Sequence, residues 1–401
     1  MKAIASKFNL RQLSYLIALA FNLTPSYSIS VWVSNIFIQP RYFWTPLFLL
    51  DRRSSVKIDY LTKIVFLLLC ISCITPVVGI YFGRTASLLD AALIVNWIYL
   101  LFFYSATLKN ISLFNGFLKL FLWINIFYIA FQLAVYYLGF PKLTMVHSNV
   151  PFHIEFGYVI EPSLLDWLPR YSGLFIESGP LTLFLCFTYL YLIQNKDIFS
   201  KKLLFFVFLL ILFSQSKFTL IFFPFLLIEF FFINKQGYLY KKVTSPGIFI
   251  ICITSILASV ALLFLLTSIN DYLVVNLIAY ELRLDAILDS INNFGNIHVF
   301  GNILQGSNYD VTDGALELQK WDIFSILFNG YGVTFGSAII LMLLSVPVMS
   351  DIKYKFTVVG ILLLAFLSTG SLLVPQYSLF LIYCRLVHNK TNASHLNIKS
   401  Y

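Results

Sequence analysis

Charge is what this chain lacks. Only 11% of its 401 residues are Asp, Glu, Lys or Arg, against roughly a quarter in water-soluble globular domains. Hydrophobic residues make up 59%, too much apolar surface for one water-facing core to hide, so a soluble globular fold is excluded. Cysteine is also scarce. Cys70, Cys73, Cys186, Cys252 and Cys384 fall in or at the end of apolar runs. That excludes a disulfide framework, and Cys70-x-x-Cys73, in the middle of a run, reads as small apolar packing rather than a redox or metal pair. His147, His153 and His298 are scattered without a carboxylate at ligand spacing, so neither a metal nor a cofactor is expected. There is no repeat of fixed period and no low-complexity linker. Thr24-Pro25, rather than a small-residue cleavage site, follows the first apolar run, so no cleavable signal peptide is expected.

What is present is aromatic and aliphatic. Aromatics reach 18%, with 42 Phe. Apolar runs near the roughly 20 residues that cross a bilayer recur along the chain. They predict an all-α polytopic integral membrane protein of about 12 (11–12) spans, a single membrane domain over 1–401. The predicted spans are Gln12–Thr24, Tyr27–Leu50, Leu61–Tyr81, Leu88–Leu108, Leu113–Leu138 and Tyr171–Ile193, then two short spans within Leu203–Ile233. Gly247–Thr267, Ile326–Val348, Phe356–Thr369 and Leu372–Tyr383 complete the set.

The net charge of +9 would point to nucleic acid in a soluble protein. Here it reflects the Lys and Arg that cytoplasmic loops of membrane proteins collect, and no nucleic-acid partner is expected. With a cytoplasmic N-terminus, most of the 27 bases fall on the inner side. The C-terminus is then also cytoplasmic, and two polar intervals, 139–169 and 268–325, lie outside.

The second interval is the only long polar stretch. Eight acids occupy it, Asp271, Glu281, Asp285, Asp289, Asp310, Asp313, Glu317 and Asp322, with only Arg283 and Lys320 as bases. Leu277, Tyr280, Leu284, Ile287 with Leu288, and Ile291 recur at helical spacing, which predicts an amphipathic helix lying at the outer membrane boundary.

Because outer bases are few, each is a candidate. Arg170 precedes a span, and Glu177, seven residues on, is a carboxylate two turns into it. It reads either as a functional group or as a buried ion pair with Arg170, and the Pro and Gly residues of this stretch (Pro169, Gly173, Gly179, Pro180) suggest a broken helix lining a cavity. Lys217 stands at a tight turn with Ser214 and Ser216, and Arg283 lies on the amphipathic helix. Converging Arg and Lys suit a diphosphate, since Arg offers a planar fork and Lys a compact charge. Asp313 and Asp322, just before a span, offer carboxylates for a hydroxyl proton. Gly330-Tyr331-Gly332 with Gly336 reads as close helix packing. It is no phosphate loop, because a Lys-Ser/Thr ending is missing.

Four features together resemble the Wzy-type O-antigen polymerases, in the superfamily that includes the O-antigen ligases. They are the many spans with a large outer loop in the C-terminal half; Arg170-x-x-Gly173-x-Phe175-x-Glu177 leading into a span; Ser214-Gln215-Ser216-Lys217; and Arg283 in the long loop, followed by Asp313 and Gly330-x-Gly332-x-x-x-Gly336. The likeness covers roughly 60–350. Two departures stand out. Arg283 is followed eleven residues later by Phe294 rather than Gly, and the outer His of the ligases has no counterpart before the late span.

The resemblance implies a metal-independent glycosyltransferase in the bacterial inner membrane, with both polar loops periplasmic. It would join undecaprenyl-diphosphate-linked repeat units into O-antigen or capsular polysaccharide. Arg170, Lys217 and Arg283 would bind the diphosphate, and Glu177 or Asp313 would orient or deprotonate the acceptor. The implied partners are undecaprenyl-diphosphate-linked glycans, the lipid bilayer and a chain-length regulator. A ligase of the same superfamily, and a flippase or other transporter of lipid-linked sugars, are the competing readings.

Overall fold

Long runs of Leu, Ile, Phe and Val with few Gly or Pro form helix wherever a neighbour covers one side. A computed structural model of the chain describes residues 10–23, 29–33, 36–38, 59–81, 88–138, 152–154, 160–165, 168–175, 178–230, 323–350, 352–368 and 377–387. These are mostly helical. The helices are α1 (Leu10–Leu23), α2 (Tyr60–Tyr81), α3 (Leu88–Lys109), α4 (Ile111–Tyr137), α5 (Ser178–Gln194), α6 (Lys201–Phe213), α7 (Lys217–Ile228), α8 (Ile323–Val348), α9 (Lys355–Ser368) and α10 (Tyr377–Val387).

Two of them, α2 and α4, with 22 and 27 residues, are long and apolar enough to cross a membrane. Only 33% of the most apolar window of each is buried inside the protein. Phe66, Ile74, Val77 and Ile80 on α2, and Phe127 and Phe131 on α4, face outward. A central helix of a water-soluble protein would be mostly covered.

The ends of the helices are tied in register. Tyr60 at the start of α2 donates to the Ser345 hydroxyl near the end of α8 (2.8 Å). Asp59 accepts from Arg385 on α10 (3.0 Å) and from Tyr104 late in α3. Tyr191 near the end of α5 donates to Asn115 early in α4 (2.8 Å). Consecutive helices therefore alternate between two ends. At the first lie Lys63, Lys109, Lys196, Lys201, Lys202, Lys353, Lys355 and Arg385. At the second, the described bases are Arg170 and Lys217.

Three departures from the predicted helices have physical causes. Within Tyr27–Leu50 the chain forms strands instead, β1 (Ile29–Val33) and β2 (Ile36–Ile38), paired antiparallel with Val33 opposite Ile36. β-Branched and aromatic residues crowd Ile29-Ser30-Val31-Trp32-Val33, and they fit a pleated surface better than a helix. β3 (Phe152–Ile154) adds to β1, setting His153 opposite Ser30. An all-α description is thus too simple for this part of the chain. A second small ribbon, β4 (Ile160–Leu165) with β5 (Leu168–Arg170), leads into the next break. There, helix was predicted from Tyr171, but α5 begins at Ser178. Finally, α8 is kinked at Gly332, with φ 71°, a conformation open to glycine at little cost. Across the kink, a methyl on Gly336 would stand 2.8 Å from the Leu327 carbonyl oxygen, so the packing reading of these glycines holds at Gly336.

The predicted outer loop 268–325 falls almost wholly within 231–322, which lies outside the described residues, as does Gly247–Thr267.

Candidate functional site

Two interruptions of helix lie at the base-poor end. The first is residues 171–175, between β5 and α5. This backbone is buried: Tyr171, Ser172 and Phe175 are at most 1% exposed. Buried peptide groups need partners, and α4 supplies them. The Gln132 Oε1 accepts from the Gly173 N–H (3.0 Å), and the Gln132 Nε2 donates to the Gly173 carbonyl (3.3 Å). The Asn125 Oδ1 accepts from the Leu174 N–H (3.2 Å). Asn125 and Gln132 are seven residues apart, two helical turns, and so share one face. Gly173 has φ +60°, and a side chain there would strike Asn125 Oδ1 at 2.9 Å. Glycine is needed here on both counts.

Arg170 opens this segment. Its Nε and Nη2 donate to the Ser178 hydroxyl at 3.2 and 2.7 Å, which ties the segment to the first residue of α5. Tyr171 donates to the Leu210 carbonyl on α6 (2.5 Å).

The second interruption is Ser214-Gln215-Ser216 between α6 and α7. Gln215 has φ 51°, unusual for a residue other than glycine. The Ser214 and Thr219 hydroxyls bond each other (2.7 Å), and both reach the Ile211 carbonyl (2.9 and 2.8 Å). Ser216 caps α7 through the Phe218 N–H (3.4 Å). The chain reverses here, because Phe208 and Phe223, on either side of the break, bring their rings to 5.2 Å. Tyr189 of α5 touches both arms, through Phe208 and Phe222. Each arm is short, at 13 and 12 residues, or about 20 Å of rise.

The helices that follow the two interruptions come together at their first turns. A methyl on Gly179 would stand 3.9 Å from the Phe218 ring. The N-termini of α5 and α7 therefore open on one place, beside Arg170. Helix N-termini present unpaired N–H groups and the positive end of the helix dipole. Such a place favours an anion.

Of the predicted site residues, Arg170 is half-buried within this cluster, and Lys217 is the first residue of α7. Glu177, Arg283 and Asp313 lie outside the described residues. The groups that sequence reasoning missed are Ser178, Asn125 and Gln132. A signal for the amides existed, since Asn125 and Gln132, seven residues apart, are polar side chains deep within the apolar run Leu113–Leu138.

Two other charged sites lie at the opposite end. Glu229, 2% exposed, accepts from the Phe356 and Thr357 N–H groups (3.0 and 2.8 Å) and the Thr357 hydroxyl (2.7 Å), capping α9. The Asp59–Arg385 pair joins α2 to α10, with side chains 6% and 9% exposed. Burial pushes the Asp59 carboxyl up, but hydrogen bonds from Tyr104, the Thr62 backbone and Arg385 outweigh it and leave it below the ordinary aspartate range. Both sites have structural work that accounts for their charge.

No protein-family model, curated protein or solved structure matches the chain.

Proposed function

We propose that the chain is a polytopic inner-membrane glycosyltransferase. It polymerises undecaprenyl-diphosphate-linked oligosaccharide repeat units into O-antigen or capsular polysaccharide. The observation that carries this reading is the meeting of the helices that follow the two interruptions, which sets Arg170 and the N-termini of α5 and α7 at one place. Both breaks coincide with the sequence motifs that resemble the O-antigen polymerases.

The membrane reading is supported by the outward apolar faces of α2 and α4. It is supported again by the two-ended charge distribution. Cytoplasmic ends of membrane proteins collect Lys and Arg, so the base-rich end faces the cytoplasm and the end with Arg170 faces away. Non-helical backbone at membrane depth persists only where protein or a water-filled cavity satisfies it. The segment 171–175 meets that condition through Asn125 and Gln132.

In the reaction, a hydroxyl of the acceptor repeat unit attacks the anomeric carbon of the donor glycan. The new glycosidic C–O bond forms as the bond from that carbon to the diphosphate oxygen breaks, and undecaprenyl diphosphate leaves. The hydroxyl proton passes to a carboxylate, Glu177 or Asp313. Negative charge grows on the leaving diphosphate, and preorganised donors aimed at growing charge are the largest lever a site of this kind has. Arg170, the α5 and α7 N-termini, Lys217 and Arg283 are those donors.

A deletion strain tests the reading against its competitors. Loss of a polymerase leaves lipid A capped with single repeat units. Loss of a ligase leaves polymer on the lipid carrier and none on lipid A. Loss of a flippase leaves no repeat unit on lipid A. Either of the last two patterns overturns the proposal.

A further inference from the structure

We infer that Gln132 and Asn125 are positioning residues, which set the place of Arg170 by holding the backbone just after it. The inference rests on the reading of Arg170 as a diphosphate-binding group.

The chain from Tyr171 to Phe175 had a simpler option. A helix starting at Tyr171 would satisfy its own C=O groups and, beyond its first turn, its N–H groups, as the apolar sequence invites. Instead the segment makes one tight turn, closed by the Phe175 N–H donating to the Ser172 carbonyl (3.0 Å), and is buried without becoming helix, with Gly173 at φ +60°. Its peptide groups are met from outside by two buried amides, Asn125 at 0% and Gln132 at 7% exposure. Gln132 grips both the N–H and the carbonyl of Gly173, and its Nε2 also lies 3.5 Å from the Ser172 hydroxyl. Asn125 takes the next N–H, and its own Nδ2 is anchored to the Phe121 carbonyl at 3.2 Å. A backbone held in an uncommon conformation by over-determining neighbours marks a place where geometry matters.

The geometry fixed in this way belongs to Arg170. It lies three positions before Gly173, and its guanidinium is also anchored by the Ser178 hydroxyl beyond the break. Releasing the Gly173 grip lets the segment relax toward helix, which swings Arg170 about the axis of α5. The amides themselves sit beneath the backbone and act through Arg170.

The test uses the full chain in nanodiscs, with undecaprenyl diphosphate as the probe. Hydrogen exchange, followed by mass spectrometry on peptides spanning 168–178, reads the grip directly. In Gln132→Leu, exchange there rises about tenfold or more while peptides from 60–81 are unchanged. Affinity for the probe falls about tenfold, the scale of two neutral hydrogen bonds. The double variant Gln132→Leu with Arg170→Ala binds no more weakly than Arg170→Ala alone, because both changes act through one guanidinium. Asn125→Ala gives the same pattern more weakly and serves if Gln132→Leu does not fold. Tyr191→Phe, which removes a buried bond to Asn115 at the other end, lowers stability and leaves affinity unchanged.

Unchanged exchange in the 168–178 peptides overturns the inference. So does an additive loss of affinity in the double variant, which would make Gln132 a general stabiliser. If the unmodified chain fails to bind the probe at all, the diphosphate reading falls and the role of the amides toward it falls too. The exchange data then show separately whether the grip exists.

Discussion

Arg170 and Ser178 are joined across a helix break, with two guanidinium nitrogens converging on one hydroxyl oxygen. Bonds to charged donors are worth about 1.5–3 kcal/mol, so this hydroxyl has a large share in fixing the arginine. Ser178→Ala is expected to lower polymer output at least tenfold at unchanged protein level, with Ser178→Thr close to normal. Polysaccharide ladders from complemented deletion strains check it.

Gly360 of α9 faces the Phe225 ring of α7, where an added methyl would stand 2.6 Å from a ring carbon. Phe225 also stacks on Phe356 at 4.8 Å, so the ring has little freedom to retreat. Gly360→Ala should cost about 1–3 kcal/mol by overpacking. Adding Phe225→Leu should return part of the loss. Thermal unfolding of the detergent-solubilised chain measures both.

The Asp59–Arg385 pair gives a pH dependence whose sign is fixed. Its carboxyl is held below the ordinary value of 3.8 in the folded chain. The folded state therefore binds fewer protons there than the unfolded one. The stabilisation is full above about pH 4 and is lost as pH falls below that toward the lowered value. Asp59→Asn should be less stable than the unmodified chain at neutral pH and should narrow the gap below about pH 4. Equal stability at neutral pH would show that the pair contributes nothing.

Much of the architecture was legible because apolar runs are long and their ends are marked by Lys and Arg. The bounds of α2, α3 and α4 follow their runs within a few residues. The breaks were legible in part. Ser214-Gln215-Ser216 announced itself as polar residues inside a greasy run, and the structure reverses the chain there. At Tyr171–Phe175 the surrounding Pro169, Gly173, Gly179 and Pro180 suggest a broken helix, but the apolar pattern still starts the span at Tyr171 rather than Ser178. The non-helical course there depends on Asn125 and Gln132, about 40 to 50 residues earlier in the chain, and local pattern cannot show a partner that distant. β1 and β2 were read as helix because hydropathy outweighed β-branching in a run of the right length. Glu229 stands inside an apolar run; its partners are the Phe356 and Thr357 N–H groups and the Thr357 hydroxyl of α9, which a sequence does not display.

The proposed reaction requires Arg170 and Lys217 at one anionic site, and the direct measurement is the polysaccharide ladder of a deletion strain complemented with Arg170→Ala or Lys217→Ala. Each variant is predicted to insert at normal levels and to leave only single repeat units on lipid A. Full-length ladders from both variants would contradict it.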